Sequence, residues 1–131
     1  MRDFCQLSGP WAGFSVQHLF RINETIQLRI DQTTIVGTGS DYDGHFELSG
    51  DYDVKTQKVT LTRRYTWTTE VSQEGVGIPY HYDGHWNGVM VSGRWYVRSN
   101  PEMGGEFEMW PNSEEDRKLL MIDLLELSTR A

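Results

Sequence analysis

The chain has 131 residues, a formal net charge of −7, sixteen aromatic side chains, thirteen glycines and one cysteine. That length suits one domain, which buries roughly two-thirds of its unfolded surface and so needs no metal or disulfide to hold together. The acidic balance argues against nucleic acid and an anionic membrane surface as partners; the lone Cys5, the missing signal-peptide pattern and the absence of a span-length apolar run lead to an expected cytoplasmic location.

In chain order, a first strand is expected over 11–19. Alternation in Thr25-Ile26-Gln27-Leu28-Arg29-Ile30 sets apolar and polar residues on opposite faces of a second. Further strands are expected over 34–38, 45–52 and 58–67, and Arg63 and Arg64 should point to opposite faces of the last of these. Three more follow over 77–82, 88–97 and 105–110. Asp31-Gln32-Thr33, Asp43-Gly44, Asp83-Gly84 and Asn87-Gly88 carry turn chemistry, 53–57 reads as a longer hairpin loop, and 69–75 and 99–104 read as longer, mobile loops. About eight strands with short links predict a mainly β, antiparallel up-and-down meander forming a small barrel.

A weak internal repeat fits this plan. Tyr42-Asp43-Gly44-His45-Phe46 with Ser49-Gly50 resembles Tyr82-Asp83-Gly84-His85-Trp86 with Ser92-Gly93, so each copy reads as a turn, a strand and a Ser-Gly step. Gly37, Gly39, Gly50 and Gly93 suit bends at barrel corners. Pro111 stops the last strand, and Ser113 with Asp116 forms an N-cap pattern for a helix over 113–128. The chain is thus read as one domain over 1–131, with a barrel over 1–110 and a C-terminal helix. Seven of the nine residues from Leu119 to Leu127 are apolar, a wider face than a helix on one small barrel needs.

The segment Leu7-Ser8-Gly9-Pro10-Trp11 adds a resemblance. A Gly-x-Trp opening the first strand of a small meander resembles the calycin barrels (lipocalins, avidins and nitrobindin-like proteins), and its context is most similar to the avidin end of that group. The resemblance implies a barrel closed at one end by Trp11, with Arg94 or Arg98 packed over it as a cationic cover. No stretch matches the biotin-contacting pattern of avidins, so architecture is carried over and no activity.

His81, Asp83 and His85 would share a face if extended and could ligate a metal for an enzyme, whereas a turn at Asp83-Gly84 would scatter them. Asp41, Asp43, Asp51 and Asp53 form an acidic cluster whose first pair begins like a calcium loop but lacks its later Gly and Glu. Glu106 and Glu108 read as solvated alternation, Cys5 as an inert or frayed thiol, and no nucleophile elbow or phosphate loop is present. Trp11, Tyr65, Trp67, Trp86 and Trp95 are the candidate ligand-binding residues, with Tyr80 beside them inside the barrel; a filled core is preferred over an open pocket. Three functions follow in order of preference. The first is a non-enzymatic assembly module whose Leu120, Met121, Leu124 and Leu125 pack on a partner subunit, giving a homo-oligomer. The second is a barrel for a small apolar ligand, with haem a special case suggested by the nitrobindin-like resemblance. The third is a metal-dependent enzyme using His81 and His85. No cofactor is predicted.

Overall fold

The computed structural model describes residues 2–130, leaving aside the side chains of residues 120, 123, 124 and 127–130. Eight antiparallel strands close into a barrel in sequence order: β1 (Gly9–Gln17), β2 (Phe20–Asp31), β3 (Thr34–Asp41), β4 (Gly44–Tyr52), β5 (Lys58–Thr68), β6 (Tyr80–Trp86), β7 (Val91–Val97) and β8 (Asn100–Pro111). The mainly β meander expected from alternation is therefore the fold, followed by a helix, α1 (Glu114–Arg130). Alternation also places the core. In β2 the buried residues are Glu24, Ile26, Leu28 and Ile30, and in β5 they begin Val59, Leu61, Arg63 and Tyr65. Two of those inward residues are charged, and they define the site below.

The strand edges depart from local expectation in two places. Asp83-Gly84 makes no turn: it lies inside β6, where Asp83 pairs with Thr60 on one side and Arg94 on the other. Pairing on both flanks outweighs the turn preference of a single dipeptide, and Asn87 makes the turn instead, its Oδ1 accepting from the Val89 and Met90 N–H groups at 2.9 Å each. The expected loop over 99–104 belongs almost wholly to β8, which pairs Asn100 with Val97 across a tight turn at Arg98 and Ser99. The Ser-Gly half of the repeat does hold. A Cβ on Gly50 would stand 1.8 Å from the Thr60 carbonyl oxygen, and one on Gly93 would stand 1.9 Å from that of Asp83. Neighbouring backbone comes too close there for any side chain.

One end of the barrel is plugged with aromatic rings. A short 3-10 turn, Phe4–Gln6, drives the buried Phe4 ring to 5.7 Å from Trp11, 5.8 Å from Trp86 and 4.5 Å from Tyr52. Each indole N–H finds a carbonyl: Trp11 Nε1 donates to Leu7 O at 2.7 Å, and Trp86 Nε1 donates to Arg2 O at 2.9 Å. Ring pairs of this kind add about 0.5–1.5 kcal/mol each beyond their buried area. Trp11 thus sits in the closed end, and among the described residues no cation covers it. Arg94 points outward from β7 and Arg98 lies in an exposed turn, so Phe4 takes the place expected of them. Cys5 is held in the same 3-10 turn, and burial, then Asp3, pushes its thiol pKa up, which disfavours the thiolate.

Helix α1 starts from the closed end. The Ser113 N–H donates to Asp116 Oδ2 at 2.9 Å, the Asp116 N–H donates to Ser113 Oγ at 3.0 Å, and Arg2 meets Asp116 at 2.6 Å. Burial works against the Asp116 charge, but the Ser113 hydrogen bonds and Arg2 outweigh it and hold the carboxyl below its usual range. Met121, Ile122 and Leu125 are exposed; the side chains of Leu120 and Leu124 lie outside the described ones.

Candidate ligand-binding site

The site begins with two carboxylates facing each other. Glu24 of β2 and Asp41 of β3 are direct cross-strand partners, a like-charge pairing that destabilises a sheet unless something bridges it. Arg63, arriving from β5, is the bridge. Its Nη1 lies 2.7 Å from Glu24 Oε2 and 3.6 Å from Asp41 Oδ2, and all three side chains are almost fully buried. The guanidinium also stacks on aromatic faces, 3.8 Å from the Phe46 ring centroid and 4.6 Å from that of Tyr82. Burial alone would disfavour the Arg63 charge, but Tyr82 and Glu24 outweigh it and hold the guanidinium firmly protonated.

Asp41 ties this ion cluster to the mouth of the barrel. Its Oδ1 accepts from the Asp43 and Gly44 N–H groups at 2.8 and 3.1 Å, so the carboxylate itself builds the β3–β4 turn. Its Oδ2 accepts from the Tyr65 hydroxyl at 2.5 Å. Burial first, then this hydrogen bond, pushes the Tyr65 pKa far up, and burial pushes Tyr82 up to about 12, so both phenols remain protonated donors.

Above the cluster a cavity of about 180 Å³ opens at the end opposite the plug. Its walls include Tyr65, Tyr80, Tyr82 and Trp95, and Asp43, Glu70 and Thr68 are also among its lining residues. Tyr80 stands 5.8 Å from Tyr65 and 6.1 Å from Trp95, making one aromatic arc. The loop after β5 is folded back against it. Gln73 accepts from the Thr68 N–H at 2.9 Å and donates to the Thr68 and Glu70 carbonyls at 2.6 and 2.5 Å, which fixes Glu70 at the rim. Among the described residues, three buried side-chain atoms lack a hydrogen-bond partner: Ser15 Oγ, Arg63 Nε and Thr68 Oγ1. All three residues line this cavity. Ser15 still acts on Tyr82 as a hydrogen-bonding neighbour, lowering its pKa, without reaching full hydrogen-bond geometry, so Arg63 Nε and Thr68 Oγ1 are the firmer of the three.

The structure divides the sequence-derived candidates. Tyr65 and Trp95 meet at the mouth, whereas Trp11 and Trp86 pack in the plug, 6.0 Å apart. Trp67 lies on the outer face, half exposed against His45. A β-bulge explains it: Phe46 pairs with Tyr65 but His45 with Trp67, so Thr66 is extra and the alternation slips by one, turning Thr68 inward instead. His81, Asp83 and His85 do share the outer face of extended β6, yet among the described residues no three His, Cys, Asp or Glu side chains converge as a metal site would. His81 stacks on Tyr96 at 5.3 Å, and burial, then Arg98, lowers its pKa. Asp41 and Asp43 lie at the β3–β4 turn and Asp51 and Asp53 at the far end of β4, which disperses the calcium-like cluster. Glu24 was the residue missed, although it keeps phase with Ile26, Leu28 and Ile30. Comparison with protein-family models, with curated proteins and with solved structures returns no match.

Replacing Arg63 by Met should destabilise the fold by about 3–5 kcal/mol, because Glu24 and Asp41 are then left buried and unbridged. Protonation relieves stranded carboxylates, so the variant should regain stability as the pH falls toward the ordinary carboxyl range. Urea unfolding at neutral and mildly acidic pH checks both; a variant as stable as the parent at neutral pH would show that the cluster does not hold the barrel.

Proposed function

We propose that this protein is a non-enzymatic binding barrel of calycin-like type that takes one small molecule into its open mouth. The calycin-like reading is supported by the closed meander of eight strands and by Trp11 at the sealed end. The observation that carries the binding reading is the gathering of orphaned buried polar atoms around one cavity. A packed core leaves very few such atoms, and here Arg63 and Thr68, whose Nε and Oγ1 lack partners among the described residues, line the same cavity.

The volume sets the ligand's size. A cavity of 180 Å³ has the room of about six waters, well below the several hundred Å³ of drug-sized sites. It does not admit a porphyrin without rearrangement, so the haem variant is not favoured. The lining also moves the ligand away from a purely apolar one, since carboxylates, phenols and a guanidinium stand among the rings. A fragment screen by native mass spectrometry and thermal shift tests this. Small molecules with a polar group should raise the melting temperature of the parent and quench Trp95, and should do neither in Ser15→Leu, which fills the cavity. If no fragment binds, or if binding survives the filled cavity, this assignment is wrong.

A second reading concerns the outside of the molecule. Met121, Ile122 and Leu125 of α1 are exposed together, which favours a homo-oligomer formed through the helix. Light scattering after size exclusion should show an oligomer for the full chain and a monomer for a chain ending at Asn112. A monomeric full chain at high concentration removes this reading.

A further inference from the structure

Resting on that reading of the mouth, we propose that the ligand is a small organic cation, an ammonium group seated at the rim beside Asp43 and Glu70 with its body against the aromatic arc. Three carboxylates and one guanidinium belong to the residues around the cavity and the ion cluster's rim: Asp41, Asp43 and Glu70 against Arg63. Glu24 stands behind them. Arg63 is already matched by Glu24 and Asp41 together, so the buried cluster by itself carries a net negative charge. It offers nothing to an anion beyond what two carboxylates have taken.

Asp43 and Glu70 are the uncommitted charges. Asp43 projects at the turn that Asp41 organises, and Thr69 N–H donates to the Asp43 carbonyl at 2.9 Å, which brings the Glu70 loop alongside it. Burial, then Asp41 and then Glu70, raises the Asp43 pKa. A negative potential is therefore concentrated at the rim, and a bound cation relieves it. The walls suit the same ligand. Tyr65, Tyr80 and Trp95 stand side by side in the lining, and the face of an aromatic ring attracts an ammonium. Thr68 Oγ1, buried and without a partner among the described residues, can accept an N–H; the Arg63 Nε–H is left for a water or an oxygen on the ligand's body.

Three probes that share one body and differ in charge decide the matter: benzylammonium, benzyl alcohol and benzoate, each titrated into the protein with Trp95 emission and calorimetry as readouts. Benzylammonium should bind roughly tenfold or more tightly than benzyl alcohol, the scale of a cation–aromatic contact in a partly desolvated site, and benzoate should bind worst. The Asp43→Asn and Glu70→Gln variants alter exposed side chains; each should weaken benzylammonium several-fold and narrow its advantage over benzyl alcohol, with an unchanged circular dichroism spectrum and melting temperature showing that the variants are folded. Equal or better binding of benzyl alcohol or benzoate would overturn the cation assignment while leaving the mouth as a binding site. Failure of all three probes, with no hit from the fragment screen, would overturn the binding reading itself.

Discussion

The Arg63 guanidinium, held between Glu24 and Asp41 inside the barrel, is the interaction on which the rest depends. Two carboxylates on adjacent strands face each other across the β2–β3 ladder, and neither could stay there without a cation from across the interior. Arg63 meets that need and, in the same position, lies over Phe46 and Tyr82. Asp41 passes the constraint on, closing the next turn through its Oδ1 and holding the Tyr65 hydroxyl through its Oδ2. A buried ion cluster of this kind is weak evidence for added stability, because hydrophobic replacements of similar volume are often no worse. Its presence is better explained by the polar space that it faces.

The barrel is accordingly two halves with different physics. The plugged half is dry and aromatic, with Phe4, Trp11, Tyr52 and Trp86 in mutual contact and both indole N–H groups paired to backbone. Both chain ends attach there: Arg2 joins Asp116 at the start of α1, and its carbonyl caps Trp86. The mouth is left to short hairpins and the folded loop after β5, with no terminal segment lying over it among the described residues. The aromatic plug and the polar mouth thereby lie at opposite ends of the barrel.

Period-two alternation made most of the fold legible, most clearly in β2, β4 and β5, which bury every second residue over most of their length. The same parity already placed Arg63 and Arg64 on opposite faces. Arg63 continues the inward phase of Val59 and Leu61. Glu24 continues the phase of Ile26 in the same way. Charged residues in apolar phase were the available signal for the site. Other features lay beyond local reading. The bulge at Thr66 turns Trp67 outward, and nothing in Tyr65-Thr66-Trp67 itself announces it. Asp83-Gly84 looks like the Asp43-Gly44 turn, and only its pairing with β5 and β7 shows that it belongs to a strand.

The most direct measurement of the central claim is a high-resolution crystal structure read at the mouth alone. The account predicts an open cavity in which ordered water or a retained small molecule bonds to Thr68 Oγ1 and Arg63 Nε, with Tyr80 and Trp95 standing as its wall. A mouth collapsed onto Arg63, dry and with those two atoms paired to protein groups, would contradict it.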